Sequence, residues 1–146
     1  MGKYRRLLVT TDFSECALAG VREAARLAGE LDAELILVSV VLNEQPYMML
    51  GSALHWDEIV AEHERKARTQ LEQYAAEHLP GARVRTVAVS GNPADAIVRL
   101  AADEAVDVIV MSSRGHGLVG RMTLGSTTQR VLERSVCPVL VVHAPR

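Results

Sequence analysis

Aromatic side chains are nearly absent from this sequence. One Trp, one Phe and three Tyr make up 3% of it, so any core must be assembled from Val, Leu, Ile and Ala. A dominant charge is missing too. Sixteen Lys and Arg oppose 18 Asp and Glu, for a formal net charge of −2, which gives no electrostatic reason to expect a nucleic acid or an anionic membrane as partner. Cysteine is scarce: Cys16 and Cys137 lie far apart and outside any CxxC arrangement, which reads as two buried free thiols rather than a disulfide framework. The longest apolar run, Leu35 to Leu42 interrupted by Ser39, falls far short of the roughly 20 residues that a membrane helix needs. Lys3, Arg5 and Arg6 precede only a short apolar run before Asp12, so no secretory signal is expected, and the protein is expected in the cytoplasm. His55, His63 and His78 share no i,i+4 spacing and H-E-x-x-H is absent, so no zinc site is expected. Without a G-x-S-x-G elbow or an evident Cys–His partnership, there is no case for a committed hydrolase.

What is present reads as one domain spanning residues 1–146. The chain is 49% hydrophobic and 23% charged, within the ordinary globular range, and its length suffices to bury about two thirds of the unfolded surface. Strand and helix signals alternate. Leu7-Leu8-Val9 stops at Thr10-Thr11-Asp12, and Ser14 can cap a helix carrying Ala17, Leu18, Val21, Ala24, Ala25, Ala28 and Leu31 on one face. Leu35 to Val41 is continuously apolar, as expected of a strand covered on both sides. Helical spacing returns from Trp56 to His78, with Glu62–Lys66 and Glu64–Arg68 on its solvated face, and Pro80-Gly81 ends it. A third strand runs from Arg83 to Val89. Gly91-Asn92-Pro93 and Asp95 then open another helix in the order cap, first-turn proline, first-turn acid. Val106 to Met111 is the fourth strand, Thr127 to Ser135 the last helix and Pro138 to Val142 the fifth strand. This alternation predicts an α/β fold: an open, parallel five-stranded sheet flanked by helices, Rossmann-like, in the order 3-2-1-4-5. In that order strands one and four meet where the winding reverses, and ligands of such sheets bind outside the carboxyl ends of the strands there.

One stretch concentrates the chemistry. Met111 to Ser126 is glycine-rich, follows a strand and leads into a helix, an arrangement that lets backbone amides approach phosphate. Gly115-His-Gly117-Leu-Val-Gly120 matches G-x-G-x-x-G by letter, but Gly125 intervenes before the helix and the next strand ends at Val142-His143 without an acid, so a dinucleotide site is rejected. The same residues miss G-x-x-x-x-G-K-[ST], because Arg121 and Met122 replace the lysine and the metal-binding hydroxyl. Arg114, His116 and Arg121 can neutralise phosphate or remain solvated loop cations. Asp12 can contact a ligand or simply begin its turn. Met48-Met49-Leu50 can be a flap, an interface or packing against the long helix, the last being the simplest reading.

The chain resembles the universal stress protein family over its whole length. Nucleotide-binding members carry G-x2-G-x9-G-[ST], matched here by Ser112-Ser-Arg-Gly115, nine residues, and Gly125-Ser126; Leu7 to Ser14, Gly91-Asn-Pro93 and Cys137 to Val142 agree as well. The resemblance implies an ATP or other adenine-nucleotide site. In it Asp12 lies by ribose or adenine, Val40 meets adenine through its backbone, and Gly115, Gly125, Ser126 and Thr128 hold ribose and phosphates. Thr10, Thr11, Met111, Ser112, Arg114 and Thr127 complete the set. Magnesium, if it accompanies the phosphates, has no protein cage. Ser112 departs from the motif's first glycine, and Thr10 from the proline common before the Thr-Asp turn. Were position 112 to demand a positive φ, serine would cost about 1 kcal/mol, and Ser112→Gly would then strengthen binding. The family commonly dimerises through its last strand, and an apolar terminal strand invites pairing, so a homodimer through Val139–Val142 is expected, together with an unknown protein partner. The implied role is regulation under stress, with at most slow ATP hydrolysis. A nucleotide-free interaction protein of the same family and a weak ATPase or phosphotransferase are the alternatives.

Overall fold

A computed structural model describes residues 4–42, 55–114 and 124–144. Along the chain run β1 (Arg6–Thr10), α1 (Glu15–Leu31), β2 (Glu34–Val41), α2 (Trp56–His78), β3 (Val84–Ser90), α3 (Pro93–Asp103), β4 (Val108–Ser112), α4 (Ser126–Arg134) and β5 (Val139–Val142). The strands form one parallel sheet in the order β3-β2-β1-β4-β5. This is the predicted order. Among the described residues no helix is long and apolar enough to cross a membrane.

The period-two geometry of a strand sends neighbouring side chains to opposite faces, and β1 uses both. Leu7 and Val9 join a core with Val21, Ala24 and Ala28 of α1 and Leu71 and Ala75 of α2. Leu8 enters a second core with Ala94, Ile97 and Ala101 of α3 and Val131 of α4. Leu7, Leu8 and Val9 are all fully buried, each stabilising the fold by about 1.5–3 kcal/mol relative to exposure. That two-sided burial is why the central strands read as unbroken apolar runs. Both cores are aliphatic. The described aromatics of the first core, Tyr4, Phe13 and Tyr74, pack at its edge.

Local signals set most element ends. Ser14 accepts the Ala17 amide at 3.2 Å and caps α1. Asn92 accepts the Asp95 amide at 3.3 Å, with Pro93 opening α3. The fourth strand starts later than expected: Ala105 adopts φ 49°, and the Val106 amide turns back to the Ala101 carbonyl at 2.9 Å, so Val106 closes a turn. The last helix starts earlier, at Ser126, because Gly125 takes the cap position. On α2, Lys66 pairs with Glu62 at 3.7 Å as expected, but Glu64 accepts the Ser90 hydroxyl at 2.6 Å instead of pairing with Arg68. Cys16 and Cys137 are free thiols, partly exposed rather than buried.

Two features hold the sheet ends. A Cβ on Gly20 would lie 3.1 Å from the Ser112 amide nitrogen, so this glycine lets α1 sit directly against the exit of β4. At the opposite end, Glu34 bridges Arg6 at 3.0 Å and Arg85 at 3.3 Å, and Arg85 also grips Glu104 at 2.6 Å. The two arginines hold the Glu104 and Glu34 carboxyls below the usual range; for Glu34 partial burial pushes upward but is outweighed.

Candidate nucleotide site

The carboxyl ends of β1 and β4 are adjacent, and a turn leaves each. After β1, the Thr11 amide donates to the Val38 carbonyl at 2.9 Å, which ties the turn to β2. Asp12 Oδ1 then accepts the Ser14 amide at 3.0 Å and the Ser14 hydroxyl. Asp12 therefore builds its own turn. A carboxylate has lone pairs beyond those two bonds, so this role does not preclude ligand contact. After β4, the Ser113 amide donates to Val142 at 2.8 Å, and the Ser113 carbonyl accepts the Gly125 amide at 2.8 Å. The Thr128 hydroxyl, in a residue only 4% exposed, donates to the Ser112 carbonyl at 3.1 Å. These bonds clamp the start of α4 onto the exit of β4.

The clamp leaves α4 with an open end. Gly125 is the cap residue, with φ −58° and ψ 147°, and, having no side chain, makes no cap bond to the first turn. The Gly125 carbonyl takes the Gln129 amide at 2.9 Å, while the amides of Ser126, Thr127 and Thr128 have no acceptor inside the helix. Such amides, with the helix dipole behind them, favour an anion. Because the Thr128 hydroxyl proton goes to Ser112, Thr128 presents its amide rather than its hydroxyl to an anion.

This open end lines a hollow of about 800 Å³, within the size range of small-molecule sites. Thr10, Thr11, Asp12, Val40, Met111, Ser112, Arg114, Gly125, Ser126, Thr127 and Thr128 all line it. Gly115 lies outside the described residues, as do His116, Arg121 and Met48-Met49-Leu50. Sequence reasoning missed Ala17, Val38, Leu42, Pro93, Ile97, Leu124 and Gln129. Val38 and Leu42 were within reach, since both share Val40's face by strand periodicity. Pro93 and Ile97 belong to α3 and come from the tertiary fold alone. Together β2, α3 and Met111 make an apolar wall, whereas α4 and the β1 turn supply polar groups. Leu42 and Leu124, 60% and 39% exposed, form a partly open apolar rim.

Position 112 resolves one expectation. Among the described non-glycine residues only Phe13, Asp32 and Ala105 have positive φ, so Ser112 carries no left-handed strain. Its hydroxyl donates to the Arg114 carbonyl at 2.9 Å. The premise for a glycine advantage is absent. A second hollow, of about 480 Å³, lies beside β3 and contains Glu64, Asp95 and Asp103 with Arg99. It also abuts a helix start, but Asn92 already caps α3. Its acids disfavour an anion. Among the described residues there is no group of three or more His, Cys, Asp or Glu able to hold a metal ion.

The fold and the first hollow define a class: a doubly wound α/β protein with a ligand-sized site at its topological switch point. A sequence model of the universal stress protein family matches residues 3–143, and the chain belongs to that family. It is 32% identical to universal stress protein MJ0531 of Methanocaldococcus jannaschii over 98% of this chain and 84% of the relative. The solved structure of MJ0577, from the same organism, superposes with a TM-score of 0.83 at 29% identity, covering 99% of both chains. A universal stress protein crystallised in complex with cAMP superposes with a TM-score of 0.64 at 25% identity, covering 99% of this chain and 100% of that one.

Proposed function

We propose that this protein binds an adenine nucleotide, with ATP the leading candidate, at the carboxyl ends of β1 and β4. One observation carries the reading: the uncapped start of α4 opens into the same hollow as an apolar wall and the Asp12 turn. Val38, Val40, Met111, Pro93 and Ile97 offer a base an apolar surface. The backbone of Val40 gives the base its polar contacts, and Asp12 accepts from ribose hydroxyls. The amides of Ser126, Thr127 and Thr128 receive phosphate, with Arg114 on the approach; Gly115 is assigned to the phosphates by the family motif alone. Magnesium, where it accompanies ATP, is carried by the phosphates. The relative solved with cAMP supports an adenine-nucleotide ligand for the family's fold.

Occupancy of this site is regulatory: it alters stability or the surface offered to a protein partner under stress in the cytoplasm. Homodimerisation belongs to the same proposal. Among the described residues β5 is an edge strand of the sheet, and Leu140, Val136 and Leu132 near it are 37%, 79% and 41% exposed. The other edge strand, β3, carries Arg85 and follows Arg83, charges that discourage pairing. A twofold pairing of Val139–Val142 would cover the apolar edge.

Titration calorimetry with ATP tests the nucleotide reading. Saturable heat with one site per chain is expected, and its loss in Gly125→Trp, where an indole would fill the hollow beside α4. Absence of binding in the native protein, or full binding by Gly125→Trp, would overturn it.

A further inference from the structure

The turn that carries Asp12 is held in a backbone conformation its sequence does not favour. Phe13 has φ 65°, a left-handed conformation that is rare for bulky side chains. No glycine or asparagine is present at that position to make it easy. Phe13 is absent from the hollow's lining, whereas Thr10, Thr11 and Asp12 all line it, so its ring lies behind the turn. There it meets Tyr74 of α2 edge to face, with ring centroids 5.5 Å apart at 83°. Tyr74 in turn packs on His78 at 4.4 Å. Two rings of α2, Tyr74 and His78, thus stack behind the Phe13 ring of the turn, in a protein otherwise poor in aromatics.

The Tyr74 hydroxyl adds a second observation. It is buried and, among the described residues, makes no hydrogen bond of normal geometry; Thr11 and Asp12 are its polar neighbours. Burial pushes its pKa up; the Thr11 side chain opposes this, and the Asp12 charge adds to it. An unsatisfied buried hydroxyl is costly. Phenylalanine would avoid that cost and keep the ring, so the packing against Phe13 uses the ring and not the hydroxyl. The ring's placement against Phe13 does account for an aromatic.

We propose that Tyr74 is a positioning residue for the nucleotide site: its ring holds Phe13 in the left-handed conformation and thereby keeps Thr11 and Asp12 aimed into the hollow. The inference rests on the nucleotide reading for its effect on affinity, but its effect on the turn stands independently. Tyr74→Leu removes the ring and should weaken ATP binding about tenfold, the scale of strain held at such residues. Tyr74→Phe keeps the ring and should bind within about twofold of the native protein. Asparagine tolerates the left-handed region, so in a Phe13→Asn background Tyr74→Leu should change affinity less than about twofold. Equal weakening in both backgrounds, or none in either, would overturn the proposal.

Amide exchange gives a readout that needs no nucleotide. The Phe13 amide donates to Thr11 Oγ1 and the Ser14 amide to Asp12 Oδ1, each at 3.0 Å. Both should exchange about tenfold faster in Tyr74→Leu relative to Ala24 in the middle of α1. Unchanged relative exchange would refute the brace. If the native protein binds no ATP, the nucleotide reading fails, and this exchange ratio alone decides the role of Tyr74.

Discussion

Replacing Ser112 with glycine removes a hydroxyl that donates to the Arg114 carbonyl at 2.9 Å, in a residue only 8% exposed. A neutral hydrogen bond of this kind contributes about 0.5–1.5 kcal/mol. Glycine adds a backbone-entropy cost of about 0.5–1 kcal/mol. Nothing offsets these losses, since Ser112 is outside the positive-φ residues and no strain is released. The expected destabilisation is therefore about 1–2.5 kcal/mol, or a fall in Tm of about 2–10 °C for a chain of this size. The Arg114 carbonyl marks where the chain leaves β4 towards the phosphate-binding residues. Loosening it should weaken ATP binding about two- to tenfold. Scanning calorimetry and ATP titration of native and Ser112→Gly proteins side by side measure both quantities. A higher Tm together with tighter binding would refute the reasoning and show that serine obstructs the site.

Further outcomes follow from other contacts. Thr128→Val deletes the bond to the Ser112 carbonyl and should lower unfolding stability by about 1–2 kcal/mol in urea with an unchanged slope; native-like stability would show that the α4 clamp lies elsewhere. Arg85→Met breaks the bridges to Glu104 and Glu34, whose pKa values lie below the ordinary 4.5 in the folded state. A depressed carboxyl stabilises the fold above its unfolded pKa and loses that contribution as pH falls through the folded value. The Tm difference between native and Arg85→Met proteins should thus be full near neutrality and shrink below about pH 4.5, and a constant difference would contradict the network's role. Leu140→Asp should convert the proposed dimer to monomer in light scattering at micromolar concentration, and a native protein already monomeric there would remove the β5 interface from the account.

Sequence and structure agree where the governing rule is local. Ser14 and Asn92 announce helix starts through side chains that reach only three residues along the chain. Leu7-Leu8-Val9 announces a central strand because both faces must be buried. The sheet order and the polar half of the hollow followed from that element order and the family resemblance. The apolar wall was only half legible: Val40 pointed to Val38 and Leu42 on its face, but Pro93 and Ile97 reach the hollow only through the packing of α3. The sequence marks Gly125 as part of the phosphate motif, while its position as the cap of α4 appears only in the backbone. Phe13 was illegible, since nothing in Asp-Phe-Ser marks a left-handed residue; the ring it packs against, Tyr74, is 61 positions away in the chain.

Amide chemical-shift mapping during an ATP titration tests the central claim most directly. The largest changes should fall on the amides of Ser126, Thr127 and Thr128, with companions at Thr11, Asp12 and Val40. Changes centred instead on Ser90, Asn92 and Asp95, beside the second hollow, would contradict the account, as would an unperturbed start of α4 at saturating ATP.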